Sequence, residues 1–238
     1  MRLILDLPRS ATRNMAIDEF LLEQQAAENA PPVLRIYSWD NPSCTLGYFQ
    51  NVGETVRSLG LEKKGISAAR RITGGGLVMH GADLAFSLCL RQANPFFSAD
   101  AKTSYLKINE VLLDGLKKIH PALDYADCKT VPSGRPAGRR VCFDSPACYD
   151  LMLKGKKVVG ASQRRRGGAF LHQSAIFLKD PPQKLAALLK AAFEKKWGVV
   201  FREEPLNGRE LEESEKKERA RYSSEEWALP AIKASADL

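Results

Sequence analysis

Three apolar runs joined by two glycine-bearing turns occupy the second half of the chain and leave little choice of architecture. The runs 149–154 and 158–162 pair across Gly155-Lys156 as a hairpin, and the loop Arg164-Arg165-Arg166-Gly167-Gly168 leads into a further strand over 169–178. Upstream, Met15, Ile17, Phe20, Leu21 and Leu22 recur at helical spacing and predict an amphipathic helix over 14–28. A strand over 33–39 follows, turned by Asp40-Asn41-Pro42-Ser43 toward 44–48, and 67–90 reads as strands flanking a Gly-rich loop. Helices are expected over 105–119 and 183–197, with a charged helix over 210–221. Strands and helices mixed in this way predict an α/β (α+β) fold, with mixed sheets flanked by helices.

At 238 residues, the chain suits one large domain with a small appendage, expected as 1–200 and 201–238. An apolar share of 44% beside 27% charged residues fits an ordinary globular protein rather than a disordered one. The net charge of +8 points to an acidic partner, which for charge alone means a nucleic acid, an anionic surface or an acidic protein. No helix-turn-helix, RNP-like or zinc pattern accompanies it, so a nucleic-acid-binding protein is the weaker reading. Five cysteines without a CxxC pair, and no clustered His/Cys/Asp set, lead to the expectation of no metal and no cofactor. Their odd number, a start too short and too soon charged for a secretory signal, and no run of about 20 apolar residues lead to a cytoplasmic protein with reduced thiols and no membrane span.

Two stretches carry chemistry. In Arg70-Arg71-Ile72-Thr73-Gly74-Gly75-Gly76-Leu77-Val78-Met79-His80, three glycines allow close approach of backbone to a ligand, and the arginines add positive charge. The run is neither GxGxxG nor GxxxxGK[ST], and taken bare it is either a binding loop or a turn. The second stretch sets Cys142 ahead of the hairpin that bears Lys157. A thiol sharing a cleft with a lysine is a simple recipe for a covalent acyl carrier, because the ammonium favours the nucleophilic thiolate.

Taken together, Arg70-Arg71-x-x-Gly74-Gly75-Gly76-x-Val78-x-His80, Asn14-Met15-Ala16-Ile17-Asp18-Glu19, Leu46-Gly47-Tyr48-Phe49-Gln50 and Lys157-Val158-Val159-Gly160-Ala161-Ser162-Gln163 resemble the lipoyl branch of the biotin/lipoate protein ligase superfamily. The resemblance covers nearly the whole chain and implies that superfamily's catalytic fold. One octanoyltransferase type of the branch carries its cysteine near the position of Ala169, whereas a second, typified by Gram-positive enzymes, carries it before the lysine hairpin. Cys142-Phe143-Asp144-Ser145-Pro146 followed by Tyr149-Asp150-Leu151 is similar to the second type.

The resemblance implies that Cys142 is the nucleophile and Lys157 its activating lysine, with octanoyl passing from acyl carrier protein to a lysine of a lipoyl-domain protein. The acceptors it implies are glycine cleavage H protein or dehydrogenase E2 subunits. Arg71, Gly74, Gly75, Gly76, Val78, His80, Gly160, Ala161, Ser162 and His172 are the expected substrate-binding residues, with backbone N–H groups at 160–162 near the oxyanion. An ATP-dependent lipoate–protein ligase is the alternative, since the three glycines at 74–76 are closer to the ligases than to many transferases and Lys157 would serve there too.

Plainer roles stand beside these. Cys44, Cys89 and Cys128 read as packing or loop residues, and Cys148 as a thiol able to form an adventitious bridge with Cys142. His80 and His172 each fit either a cleft or a hydrogen-bonded core, and His120 sits at a helix end. The basic stretch 129–140 and Arg164–Arg166 fit either acidic carrier domains or solvated surface.

Overall fold

The computed structural model describes residues 1–27, 30–97, 100–129, 131, 143 and 146–229. In chain order its elements are β1 (Arg2–Leu5), α1 (Ala11–Ala27), β2 (Val33–Tyr37), β3 (Ser43–Leu46), α2 (Val52–Leu59), β4 (Ser67–Arg70), β5 (Val78–His80), β6 (Leu84–Arg91) and α3 (Ala101–Leu116). There follow β7 (Leu123–Tyr125), β8 (Leu151–Leu153), β9 (Lys156–Arg166), β10 (Ala169–Ile176), α4 (Pro182–Trp197), β11 (Arg202–Glu203), α5 (Gly208–Lys217) and β12 (Ala228–Leu229).

Two mixed sheets result. The larger runs β11-β1-β2-β6-β10-β9-β8-β7 and the smaller β12-β4-β3-β5. In the larger sheet β1 lies parallel to β2 and β11, while β6, β10, β9 and β8 form an antiparallel run. Helix α1 packs on β6 and β10 on one side and on β4 on the other, so it is held between the sheets. The opposite face of the large sheet is covered by α3 and α4, whose Ile108, Val111, Leu112, Leu185 and Leu189 close a core over Phe86, Leu88 and Phe170. Helices α3 and α4 each bury one apolar stripe, which is where their stability comes from.

Local chemistry explains where elements begin and end. Asn51 accepts the Glu54 N–H as an N-cap of α2, and Gly60 ends that helix at φ 59°, so a short helix of modest apolar content is held by its caps. The hairpin turn falls at Lys154 and Gly155, at φ 50° and 75°, one residue earlier than the spacing predicts. Arg164, Arg165 and Arg166 lie in β9 rather than in a loop, because Gly167 and Gly168 at φ 58° and 73° suffice to turn the chain into β10.

The division expected at residue 200 is crossed by packing. Arg202–Glu203 pairs with β1, Ala228–Leu229 pairs with β4, and the buried Tyr222 hydroxyl donates to Glu19 Oε2 at 2.9 Å. Arg2 also donates to both carboxylate oxygens of the buried Glu210, at 2.5 and 2.8 Å. Among the described residues no helix is long and apolar enough to cross a membrane.

Candidate active site

A cleft with about 430 Å³ of empty space, its open mouth included, lies where β5, β9 and β10 meet α1. Met15, Tyr37, Trp39, Val78, Ala85 and Ala175 give it apolar walls, while Arg71, Thr45, His80, Lys157, Ser162 and Gln173 bring polar groups to it. Polar groups placed at fixed points among apolar walls are what a site for a small, mostly apolar ligand requires.

Lys157 reaches this cleft because β9 is irregular beside it. Met152 stands opposite Lys157 and Leu151 opposite Val159, so Val158 is an extra residue on β9. Such a bulge re-aims the neighbouring side chain. The Lys157 side chain then crosses Gly160, lies with its Nζ 5.0 Å from the centre of the Phe143 ring, and ends 2.7 Å from Asp150 Oδ2. Lys156, by contrast, is exposed.

Asp150 is fully buried and also accepts from the Tyr105 hydroxyl and, at 2.5 Å, from the Ala147 N–H. Tyr105 in turn accepts the Ala161 N–H at 3.1 Å, which engages one of the backbone groups expected near an oxyanion. Burial and the Asp150 charge hold the Tyr105 phenol well above its usual pKa, so it stays a donor.

On the opposite wall a second chain of contacts fixes His80. Its Nδ1 lies 2.8 Å from Asp83 Oδ2, which places the ring proton there and leaves Nε2 to accept from Thr45 Oγ1 at 2.7 Å. Thr45 Oγ1 accepts from Arg71 at 2.7 Å, and the imidazole stacks on Trp39 at 3.9 Å. Burial lowers the His80 pKa against the pull of Asp83, favouring the neutral ring that this pattern needs.

The floor is polar and fully engaged. Ser162 donates to Thr73 at 2.8 Å, Thr73 to Gln173 Oε1 at 2.7 Å, and Gln173 Nε2 to Asp18 at 2.7 Å. Asp18 also pairs with the buried Arg35 at 2.7 Å and accepts from Tyr37 at 3.0 Å. Burial works against the Arg35 cation, but Asp18 and Asp6 outweigh it and raise its pKa. A buried charge survives only when paired in this manner.

Of the expected site residues, Arg71, Val78, His80, Lys157, Gly160, Ala161 and Ser162 come together in the cleft. Cys142 lies outside the described residues. Gly74, Gly75 and Gly76 do not line the cleft: the carbonyls of Gly74 and Gly76 accept from Arg71 at 3.0 and 2.9 Å, so the loop wraps a guanidinium. Its glycines also permit close packing, since a Cβ on Gly47 would lie 1.9 Å from the Gly75 oxygen.

His172 is fully buried but turned away from the cleft, with Nδ1 accepting from Gln163 at 3.1 Å and its ring stacked against Phe86 at 5.7 Å. Burial, with Arg165 adding to it, lowers its pKa to about 3. Alternation along β10 explains the placement, because Gln173 and Ala175 take the inward face toward α1. Thr45, Thr73, Tyr105, Asp150 and Gln173 are site residues that spacing alone did not single out.

Two further expectations change. Cys128 and Cys148 form a disulfide, with Cα atoms 4.6 Å apart, so neither is a plain packing thiol, Cys148 is not left for Cys142, and the reduced-thiol expectation fails for this pair. Spacing cannot reveal a pairing that depends on how the intervening chain returns. Of the arginine run, Arg165 turns inward to donate to Ser104 at 2.6 Å and to Gln163 at 3.1 Å, Arg164 lies over Tyr48 at 4.9 Å, and Arg166 is exposed. The stretch 129–140 lies almost wholly outside the described residues.

Comparison with known proteins places this arrangement. The sequence pattern described as the lipoyl protein ligase A/B catalytic domain matches residues 10–202. An octanoyltransferase LipM of Carboxydothermus hydrogenoformans is 38% identical over 80% of this chain and 74% of its own length. One of Moorella thermoacetica is 34% identical over 76% of this chain and 66% of its own. Among solved structures, protein Ta0514 of T. acidophilum with bound lipoic acid superposes with a TM-score of 0.76 at 26% identity, covering 95% of this chain and 98% of that one.

Proposed function

Since this chain belongs to the family of lipoyl protein ligase A/B catalytic domains, we propose that it is an octanoyltransferase of lipoate biosynthesis, an acyltransferase working through a cysteine thioester. Cys142 takes octanoyl from acyl carrier protein, and a lysine of a lipoyl-domain protein then attacks the new thioester. The acceptors that go with this reading are glycine cleavage H protein or dehydrogenase E2 subunits, and its setting is the cytoplasm.

The observation that carries the reading is the position of Lys157. It lines the cleft as a buried cation, and the ring lying over it belongs to Phe143, the residue that follows Cys142. An ammonium beside a thiol raises the thiolate fraction, and beside a thioester it stabilises the oxygen that gains charge on attack. The apolar wall of Met15, Trp39 and Val78 suits an alkyl chain, each buried CH₂ contributing about 0.8 kcal/mol. A donor thioester and an acceptor lysine make amide formation downhill, so positioning is what the protein has to supply.

Intact-protein mass spectrometry after mixing with octanoyl-acyl carrier protein, without ATP, tests this. An octanoyl group labile to hydroxylamine and mapped to Cys142 is expected. Acylation that requires ATP would make the protein a ligase instead.

A further inference from the structure

Tyr37, Trp39 and His80 line the cleft as a run of rings, and a buried carboxylate holds each end of it. Tyr37 meets Trp39 edge-on with ring centres 5.7 Å apart, and Trp39 stacks on His80 at 3.9 Å. At one end the Tyr37 hydroxyl donates to Asp18 Oδ2 at 3.0 Å. At the other a single oxygen, Asp83 Oδ2, accepts from the Trp39 indole N–H at 3.1 Å and from His80 Nδ1 at 2.8 Å. Asp83 Oδ1 takes the Gly81 N–H at 3.0 Å, so the carboxylate is also fixed to the chain between β5 and β6.

The two carboxylates do different work. Asp18 also meets Arg35, Ser87 and Gln173, so it belongs as much to the sheet core as to the wall. Asp83 bonds to the two stacked rings and to the backbone beside them, and its side chain is fully buried, with that of His80 only 4% exposed. An indole N–H can only donate, and with the His80 proton on Nδ1 both rings offer a donor to the same oxygen. Take that oxygen away and two buried donors go unmet side by side, a cost that the rings relieve by turning. Both rings face the cleft, so any turn changes its width.

A fixed wall and a yielding wall treat an alkyl chain differently. A rigid apolar slot separates chains that differ by a methylene about tenfold or more, whereas a wall free to move makes room for the longer one. We propose that Asp83 is a positioning residue for acyl-chain selectivity: by clamping Trp39 and His80 it fixes the width of the slot that receives the octanoyl chain. The proposal rests on the transferase reading for the identity of the acyl group.

The test compares small straight-chain acyl thioesters from butanoyl to dodecanoyl as donors and, separately, the binding of the matching free alkanoic acids by calorimetry. Wild type is expected to favour the octanoyl member of each series. In Asp83→Ala the preference for octanoyl over decanoyl, read as a ratio of kcat/KM and as a ratio of Kd, is expected to fall about tenfold. Asp83→Asn keeps one acceptor oxygen for donors on two sides and is expected to fall between. A merely structural role would lower the melting temperature and the active fraction but leave both ratios in place, since each ratio is taken on one preparation.

Asp83→Ala that folds and keeps the wild-type ratios would overturn the proposal, and so would Asp83→Asn less selective than Asp83→Ala. Where Asp83→Ala does not fold, unchanged ratios in Asp83→Asn carry the same weight. Two outcomes need no variant. Wild type that binds octanoic and decanoic acids equally would overturn the proposal, and so would rapid solvent exchange of the Trp39 indole N–H, which should persist in deuterated water. If wild type binds octanoic acid selectively yet forms no acyl-enzyme, the transferase reading fails by itself, and the Kd ratios still decide Asp83.

Discussion

Gly160 leaves the space that Lys157 fills: a Cβ built on Gly160 would stand 2.3 Å from Lys157 Cε and 2.8 Å from its Nζ. The absence of a side chain on one residue of β9 is therefore what lets another, three positions earlier on the same strand, cross into the cleft. Gly160→Ala should displace the ammonium and lower kcat/KM about 100-fold, the penalty for shifting a reacting group by about 1 Å. The fold itself should lose only about 1–3 kcal/mol from overpacking. Steady-state kinetics and thermal melts of the same preparation separate the two effects.

Cys142→Ala should abolish both acyl-enzyme and product. Lys157→Ala should move the rate of Cys142 alkylation by iodoacetamide to higher pH, because the thiolate loses its proposed nearby cation. Lys156→Ala should leave that profile in place, since Lys156 is exposed. Superimposable profiles for wild type and Lys157→Ala would show that the lysine does not tune the thiol.

The Cys128–Cys148 bridge closes a loop of 20 residues. Replacing both cysteines by serine should cost about 3 kcal/mol of stability, as expected for a cross-link of that span. Denaturant unfolding of the variant against oxidised wild type measures it, and a difference near zero would show that the bridge adds no stability.

Thr73→Val keeps the shape of a buried side chain but deletes its hydroxyl. Gln173 Oε1 and the Ser162 hydroxyl then lose the partner they share. A loss of about 1–3 kcal/mol is expected for stranding a buried polar group. Adding Gln173→Leu on top should cost less than its effect alone, which a double-mutant cycle reads directly.

His172 should make the protein acid-sensitive. Its pKa is lowered from 6.5 to about 3 by burial, with Arg165 adding to it. Above pH 6.5 neither native nor unfolded chain holds the proton; below it the unfolded chain takes up a proton that the native state refuses until about pH 3. Stability from this group is therefore complete above 6.5 and falls as the pH drops, by on the order of 3 kcal/mol near pH 4. The difference in unfolding free energy between wild type and His172→Gln, followed from pH 7 to 4, should shrink accordingly, and a constant difference would contradict it.

Much of this was legible in the residues. The β8–β9–β10 run follows from alternating apolar residues punctuated by glycines, and α1, α3 and α4 follow from helical spacing. The bulge at Val158 was not, because only the register against the partner strand reveals the extra residue. Helix α2 carries few apolar residues to set a period, although Asn51 and Gly60 were usable boundary signals. Gln173 was missed because polar residues in strands usually face solvent, yet it falls between Leu171 and Ala175 on the inward face, which is a cue to a buried partner, whereas Thr73 lies in the loop between β4 and β5, where no period marks a buried side chain. Asp150 gave no such cue, since its contacts depend on Tyr105 and Lys157 reaching it from α3 and β9, with Ala147 added from its own turn.

The strands β11 and β12 close one edge of each sheet, and both are made from residues synthesised long after the strands they pair with. Until Arg202–Glu203 reaches β1 and Ala228–Leu229 reaches β4, each sheet presents unpaired backbone along that edge. A nascent chain stalled near residue 200 would also leave the carboxylate of Glu19 without the Arg221 and Tyr222 contacts that meet it in the finished fold. Copies cut short near residue 200 should accordingly be the aggregation-prone population of this protein, since both edges then stay open.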